Sequence, residues 1–283
     1  MTDAPPAAGR SPAPSSGDAA LAAWLSGRRV LLAYGLLGDA TARLRPLGVD
    51  YMGAQQDWLR AVGARPEVVR APTAAPVAAN AARIRSALLA GGDGASPALL
   101  LAHSKGGLEA LAALTDPAAA GRCAAFIAFQ SPFRGTPVAD MVAGRRVLHG
   151  LALAWLRLLG CGDGAGVRDL TTGARRAWMR EHEAAVAALA VRLPVVTAAT
   201  VLDAAAAGRA GGGRDRAYAA AVRLLEREAG PNDGLVPLAS ALLPGARHMV
   251  EPGGHVALVA AGGGRDPVGA LRRALALALA PAA

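Results

Sequence analysis

The chain has 283 residues, of which 53% are hydrophobic and 4% aromatic, and a formal net charge of +9 at pH 7. Its arginines are scattered in ones and twos rather than gathered into a basic arm or an aromatic-interleaved stripe, so nucleic-acid binding is not expected. No apolar run reaches the roughly 20 residues that span a bilayer, and the N-terminus lacks a signal-peptide pattern. We therefore expect a cytoplasmic protein without stable membrane insertion.

The first residues are almost all Ala, Pro, Ser and Gly, which predicts a disordered tail over 1–19 and one folded domain over 20–283. Six apolar runs predict strands at Val30–Tyr34, Glu67–Ala71, Ala98–Ala102, Ala124–Phe129, Pro194–Leu202 and Ala246–Val250. Helical patterns lie between them at Val77–Ala90 and Leu108–Leu114, and a last one starts near Pro267. This alternation predicts the α/β class, with a mostly parallel, doubly wound sheet.

One predicted strand ends at a serine. Ser104 has a small residue two positions before it, Ala102, and another two positions after it, Gly106, and a helical pattern follows at once. This is the layout of a nucleophile elbow, the strained strand-to-helix turn of α/β-hydrolases, in which small neighbours let strand and helix approach closely. The pattern therefore predicts that Ser104 is a nucleophile, with alanine in place of the usual first glycine.

The stretch from about 138 to 190 breaks the strand–helix alternation. Helical patterns at Met141–Leu159 and Ala174–Ala190 flank a glycine-rich turn at 160–166, which suits a helical cap inserted over an active site. The apolar face of the first pattern could line an acyl pocket or could simply pack on the sheet. Its members are Leu151, Leu153, Trp155, Leu156 and Leu159.

A nucleophilic serine needs an imidazole to take its proton. Four histidines lie downstream of the elbow, and two of them, His149 and His182, fall in the predicted cap helices and are interpreted as surface or packing residues. His248 lies in the last predicted strand. His255 follows that strand in a loop, which is where a catalytic base belongs. The pattern favours His255 and leaves His248 as the alternative.

The imidazole in turn needs a carboxylate to hold its tautomer. Asp233 lies in the polar turn Asn232-Asp233-Gly234, which can present a carboxylate from a loop, although Asn-Asp-Gly is also simply a favourable turn sequence. Asp203 directly follows a predicted strand, where such an acid also occurs. The residues favour Asp233 over Asp203 without excluding either.

The negative charge that develops during acyl transfer needs backbone donors. One is the N–H of the residue after the nucleophile, Lys105, and the other is expected from the loop after an early strand. The segment Tyr34–Gly38 fits that loop, with the N–H of Leu36 as the donor. No role is predicted for the Lys105 side chain.

With these residues, the chain resembles the bacterial triacylglycerol lipases of the α/β-hydrolase superfamily. Five segments match that family's motifs in order: the oxyanion loop at 34–38, with tyrosine replacing histidine, the elbow at 102–107, the segment after the next strand at 131–140, a short cap run at 169–172 and the segment of the catalytic aspartate at 232–236. His255 follows at a family-like distance. The resemblance implies the α/β-hydrolase fold with a helical cap, and it raises Asp233 above Asp203.

The resemblance implies a cofactor-free serine hydrolase that cleaves small-molecule or lipid esters through an acyl-enzyme. Secreted relatives often bind calcium just beyond the catalytic histidine, but Val256–Val259 offer no ligand, so no metal site is predicted. The two cysteines, Cys123 and Cys161, lack metal-ligand spacing, and Cys123 is expected to be a buried thiol. An acyltransferase or thioesterase with the same triad, and a non-catalytic binding protein of this fold, remain alternatives, and the oligomeric state is open.

Overall fold

The computed structural model of the chain describes residues 16–36, 38, 42, 50–72, 75–91, 94, 96–144, 165–205 and 213–281. The strands within these residues are β1 (Arg29–Ala33), β2 (Arg65–Val68), β3 (Ala98–His103), β4 (Cys123–Phe129), β5 (Val195–Val201) and β6 (Arg247–Pro252). The helices are α1 (Ser16–Leu25), α2 (Gly53–Ala61), α3 (Val77–Leu89), α4 (Lys105–Leu114), α5 (Pro117–Gly121), α6 (Pro137–Gly144), α7 (Ala165–Arg168), α8 (Thr172–Glu181), α9 (Glu183–Arg192), α10 (Gly213–Ala229), α11 (Leu238–Ala241) and α12 (Pro267–Leu279).

The six strands form one sheet in the order β2-β1-β3-β4-β5-β6, and every pair of neighbours is parallel. Parallel neighbours need crossover connections, which explains why helices separate the strands along the chain. The winding direction reverses between β1 and β3, and ligands of such sheets bind at the carboxyl ends of the strands next to this reversal. The predicted α/β class and parallel sheet are confirmed. Ser104 directly follows β3, so it lies at the carboxyl ends of the strands, next to this reversal.

Helices cover both faces of the sheet, so its central strands are apolar throughout rather than alternating. All six residues of β3 are buried. Because successive side chains of a strand point to opposite faces, Leu100 packs with the cluster under α3 and α4, whereas Leu99 and Leu101 pack with the cluster under α2 and α12. These two apolar layers hold β3 rigidly, and with it the turn that follows.

The strand predictions are correct to within a few residues at each end. The largest shift is in β2, which runs over Arg65–Val68 instead of Glu67–Ala71. Pro66 lies inside this strand, and a proline is tolerated there because β2 is at the edge of the sheet. At the start of β4, Cys123 is buried as predicted, and burial raises the pKa of its thiol to about 12.

The predicted tail is wrong at its end, because helix α1 begins at Ser16. Alanine-rich sequence is a strong helix former as well as a common feature of tails. The helix is held by apolar burial of Leu21 and Leu25 and by an ion pair from Asp18 to Arg272 on α12. The folded domain therefore begins before residue 20, and residues 1–15 lie outside the described ones.

The predicted helix over Ala174–Ala190 is in fact two helices, α8 and α9, which meet at His182. The imidazole Nδ1 of His182 donates to the carbonyl of Trp178, a backbone acceptor of the last turn of α8. The imidazole of His182 and the indole of Trp178 stack with centroids 4.2 Å apart, so of the surface or packing role predicted for His182 the structure shows a packing contact. His182 thus lies at the end of α8 and directly before α9, and its ring bonds back to the last turn of α8.

The predicted cap insertion over about 138–190 stays a prediction, because residues 145–164 lie outside the described ones. His149, Cys161, the apolar face at 151–159 and most of the glycine-rich turn all fall in that gap. Of the predicted helix Met141–Leu159, the structure describes the beginning as part of α6, which starts earlier, at Pro137. Across the described ranges, no helix is long and apolar enough to cross a membrane.

Candidate active site

Ser104 occupies a strained turn between β3 and α4. Its φ of 53° and ψ of −125° are unusual for a residue with a side chain. The turn brings helix and strands so close that a Cβ on Gly106 would overlap the carbonyl of Ala33, and one on Gly107 would overlap the Ser131 side chain. Gly106, the second small residue of the predicted elbow, and Gly107 are therefore required by close contact. Ser104 itself is partly exposed at the start of helix α4.

His255 contacts the serine hydroxyl. Its Nε2 lies 2.9 Å from Ser104 Oγ, and its Nδ1 lies 2.9 Å from Asp233 Oδ2. A carboxylate only accepts, so the Nδ1 of the imidazole carries a proton and donates it to Asp233. In the neutral ring, Nε2 then has a lone pair that accepts from the hydroxyl of Ser104. Residues 104, 233 and 255 are thus brought together in one hydrogen-bonded series.

The carboxylate of Asp233 is buried and held in one orientation. Its Oδ1 accepts from the N–H groups of Leu235, at 2.9 Å, and Val236, at 2.7 Å, which leaves Oδ2 for the imidazole. The neighbouring Asn232 closes the same turn, because its Oδ1 accepts from Gly234 N. The Asn-Asp-Gly sequence is therefore a turn and also presents a carboxylate, so both interpretations of this segment hold.

The turn that carries His255 is fixed from the neighbouring strands. Gln130, directly after β4, donates from Nε2 to the carbonyl of Gly254 at 2.8 Å and to Thr200 Oγ1 at 2.6 Å. Gln130 is fully buried and has a positive φ of 51°. Sequence reasoning missed this residue, although its position after a buried strand, at the edge where Ser104 lies, is a signal that could have found it.

The two predicted oxyanion donors belong to two segments next to the serine, the start of helix α4 and the turn after β1. The N–H of Lys105 is the first of helix α4. Leu36 lies in the turn after β1, next to Gly35, where a Cβ would be only 2.9 Å from Ser104 Cβ. A hydrogen bond of 2.9 Å from Gly38 N to the Gly35 carbonyl closes this turn. The turn therefore packs against the nucleophile, and the orientation of both N–H groups toward a substrate stays a prediction.

The side chain of Lys105, the only lysine in the sequence, has a structural partner that the sequence analysis did not assign. It is fully buried and forms an ion pair with Glu109 one helical turn later. The Nδ2 of Asn80 on α3 donates to the same carboxylate at 2.8 Å and to the Pro72 carbonyl at 2.9 Å. This network fastens the first turn of α4 to α3 below the elbow.

The alternative base and acid lie elsewhere. His248 is on edge strand β6 with an exposed side chain, and its Nδ1 lies 2.9 Å from Thr197 Oγ1. Partial burial lowers the pKa of His248. Asp203 Oδ1 accepts from Ala205 N at 2.7 Å and caps its own loop. Within the part of the chain that the structure describes, neither side chain hydrogen-bonds to Ser104 or His255, and no three His, Cys, Asp or Glu residues cluster as metal ligands.

The fold of the chain is similar to those of solved esterases and lipases. A metagenomic carboxyl esterase, MGS0156, aligns with a TM-score of 0.65 at 20% identity over 90% of this chain and 74% of that one. The mature lipase BlEst2 of Bacillus licheniformis aligns with a TM-score of 0.61 at 20% identity, over 82% and 86% of the two chains. For the Staphylococcus hyicus lipase the TM-score is 0.55 at 12% identity, over 82% and 88%.

No protein-family model matches the chain, and the search of curated proteins finds no match. The likeness to solved structures is therefore one of fold, at identities of 12–20%. The chain has the α/β-hydrolase fold, and its structural neighbours are lipases and esterases of that fold.

Proposed function

We propose that the protein is a serine hydrolase that cleaves carboxylic esters through an acyl-enzyme intermediate. The observation that carries this proposal is the pair of 2.9 Å hydrogen bonds that link Ser104 Oγ to His255 and His255 to Asp233. The fold, shared with a carboxyl esterase and with lipases, supports the class of substrate.

In the first half-reaction, Ser104 Oγ attacks the acyl carbon of the ester. Its proton moves to Nε2 of His255, which then delivers it to the oxygen of the leaving alcohol as the carbon–oxygen bond breaks. Asp233 accepts from Nδ1–H throughout, so it keeps the ring in the required tautomer and stabilises the imidazolium that forms.

The carbonyl oxygen becomes an anion in the tetrahedral intermediate. We assign the N–H groups of Leu36 and Lys105 to this oxygen, because one belongs to the turn packed on Ser104 and the other starts a helix. The N-terminus of a helix carries a partial positive charge, which favours an anion at this position. One such preorganised donor contributes about 10²–10³ in rate.

In the second half-reaction, a water molecule gives a proton to Nε2 of His255 and attacks the acyl carbon. The tetrahedral intermediate then expels Ser104 Oγ, which recovers its proton from the imidazolium, and the free acid leaves. The serine and the histidine are regenerated, and each step uses only these side chains, the two backbone donors and water.

The proposal is tested with a short-chain 4-nitrophenyl ester and two serine variants. Ser104→Ala should lower kcat by at least about 10⁴-fold, because the nucleophile is lost. Ser86→Ala is the matched control: Ser86 is exposed on α3, and among the described residues its hydroxyl bonds to the Ala82 carbonyl of its own helix, at 3.0 Å. This variant should hydrolyse the ester at the wild-type rate.

Two results would contradict the proposal. Undiminished turnover by Ser104→Ala would move the nucleophile elsewhere in the chain. A wild-type protein that binds esters but releases no acid would support the non-catalytic binding protein instead.

A further inference from the structure

The residue before the nucleophile has a buried imidazole that the proposed reaction does not use. His103 is 3% exposed, and both of its ring nitrogens have partners. Its Nδ1 lies 2.9 Å from the hydroxyl of Tyr51, and its Nε2 lies 2.9 Å from the backbone carbonyl of His255. The hydroxyl of Tyr51 also accepts from Gly35 N at 2.9 Å.

The ends of this chain of hydrogen bonds determine its direction. The carbonyl of His255 can only accept, so Nε2 of His103 carries the proton and donates it. In the neutral ring, Nδ1 then accepts, and its donor is the hydroxyl of Tyr51. The N–H of Gly35 can only donate, so it donates to a lone pair of that hydroxyl oxygen. The three bonds therefore run one way, from Gly35 through Tyr51 and His103 to His255.

Both ends of the chain belong to the candidate site. Gly35 precedes Leu36, the assigned oxyanion donor, and a Cβ on Gly35 would lie 3.0 Å from His103 Nδ1. At the other end, the acceptor is the backbone of the assigned general base. The segment of Tyr51 is itself tied to the loop after His255, since Met52 N donates to the Val259 carbonyl. The hydrogen-bond chain therefore joins the two parts of the site that must face one substrate carbonyl.

The environment of His103 keeps its ring neutral. Burial, and secondarily a positive charge on His255, lower the pKa of His103 to about 3. The centroids of the two imidazoles are 5.0 Å apart. A ring that stays neutral does not compete for the proton that His255 exchanges during turnover, and it keeps the same tautomer throughout.

We propose that Tyr51 and His103 are positioning residues of this site, which hold the oxyanion turn and the backbone of His255 at a fixed separation around Ser104. This inference rests on the proposed hydrolase function. Catalysis requires donors and base to be aligned on one carbonyl group, and a misplacement of about 1 Å can cost about 10²-fold in rate.

The direct test is Tyr51→Phe. This change removes one hydroxyl and leaves the ring, which packs edge-on against Tyr34 and His103 with centroid distances of 5.1 and 5.5 Å. We expect kcat for a 4-nitrophenyl ester to fall about 10- to 100-fold, whereas KM changes less than about threefold, because the misalignment affects the transition state.

Thr197→Val is the matched control. It also removes a buried hydroxyl that lies 2.9 Å from a histidine Nδ1, that of His248. It should leave kcat unchanged, since this pair lies outside the site. Equal losses of kcat in the two variants, or wild-type kcat in Tyr51→Phe, would overturn the proposal.

Two variants of His103 test its two hydrogen bonds separately. An asparagine amide ends near the position of Nδ1, so His103→Asn keeps an acceptor for Tyr51 and loses the donor to His255. A glutamine amide ends near Nε2, so His103→Gln keeps that donor and loses the acceptor. Both should lower kcat.

The Tyr51→Phe/His103→Gln double variant sharpens the test, because both changes remove the same hydrogen bond. It should be no slower than the slower single variant, to within about threefold. If the loss of kcat in the double variant equalled the product of the losses in the two single variants, the two residues would act independently. That result would contradict the proposed chain of hydrogen bonds.

A measurement on the wild-type protein covers the case in which variants do not fold. In ¹⁵N NMR spectra of the imidazoles, His103 should be neutral and protonated on Nε2 from pH 8 down to about pH 4. Protonation on Nδ1, or titration near pH 6, would contradict the proposed chain of hydrogen bonds.

The two proposals fail in different ways. An inactive wild type, or an active Ser104→Ala variant, would contradict the hydrolase assignment. Wild-type activity in Tyr51→Phe together with an inactive Ser104→Ala would contradict only the positioning proposal.

Discussion

Two hydroxyl–imidazole pairs in this protein have the same oxygen–nitrogen distance but different surroundings. Ser104 Oγ and Thr197 Oγ1 each lie 2.9 Å from a histidine nitrogen. Ser104 is partly exposed on a positive-φ turn at a helix start, and its partner, His255, donates to a buried carboxylate. Thr197 is fully buried within β5, and its partner, His248, is exposed on the edge strand.

The contrast teaches that an imidazole beside a hydroxyl does not by itself make a nucleophile. The pair also needs a carboxylate on the second ring nitrogen, a hydroxyl that substrate can reach and donors for the oxyanion. The predictions below remove the carboxylate of the first pair, alter buried residues that support the first pair, or perturb the second pair.

Asp233→Asn should have the largest effect in this series. The amide retains the shape of the carboxylate but favours the wrong imidazole tautomer, so kcat should fall about 10³- to 10⁴-fold. Steady-state hydrolysis of the 4-nitrophenyl ester measures this loss. Asp203→Asn, the matched control, should retain wild-type turnover, and a comparable loss there would reverse the assignment of the acid.

Gln130→Asn should have an intermediate effect. Asparagine tolerates the positive φ at this position but is too short to reach the Gly254 carbonyl, so the histidine turn loses a buried donor. We expect about a 10-fold loss in kcat and about 1–3 kcal/mol less free energy of unfolding. Urea denaturation and ester hydrolysis on the same samples measure both, and an unchanged kcat would show that this bond does not position His255.

His103 should contribute a pH dependence of stability. Its pKa is lowered from 6.5 in the unfolded chain to about 3 in the folded protein, so the unfolded state binds one more proton between these values. The free energy of unfolding should therefore fall as the pH drops from about 6.5 toward 3. Denaturation at several pH values should show a shallower slope for His103→Gln than for wild type, and equal slopes would contradict the assigned burial of a neutral ring.

His248→Gln should have the smallest effect. The side chain is exposed and bonds only to a strand hydroxyl among the described contacts, so kcat should stay within about twofold and the free energy of unfolding within about 0.5 kcal/mol. A large loss of turnover here would mean that the second pair, not the first, carries the chemistry.

The strands and the principal side chains of the site were predictable because each has a local signal. Strands such as β3 and β4 are apolar runs bounded by breakers, since helices cover both faces of the sheet. Ser104 follows such a run between small residues, Asp233 lies in a polar turn, and His255 lies in a loop directly after the last strand. The structure brings these three residues together, and their catalytic roles remain predictions.

Gln130 follows a buried strand, which is a usable signal, but the other supports of the site were not predictable, because they depend on contacts between distant segments. Gly35, Tyr51, His103 and His255 share no periodicity or spacing, and only the folded sheet brings them together. The buried Lys105–Glu109 pair was equally hidden, since a charged residue one turn from another usually indicates a solvated helix face. Helix α1 was missed because its composition matches that of the tail before it.

A weak sequence match turned out to have a clear structural role. The run Asp169–Thr172, matched to the cap of the lipases, fastens the described part of that region to the domain. Asp169 Oδ2 accepts from the N–H of Val77 at the start of α3, and the Thr171 hydroxyl caps the first turn of α8. Such a contact explains the residue types in this run without assigning them a part in the reaction.

The identity of the nucleophile is tested most directly by peptide mapping after treatment of the wild-type protein with a fluorophosphonate. We expect one covalent phosphonyl group, carried by Ser104, and no modification of the Ser104→Ala variant. Modification at any other residue, or an esterase that turns over substrate while resisting the reagent, would contradict it.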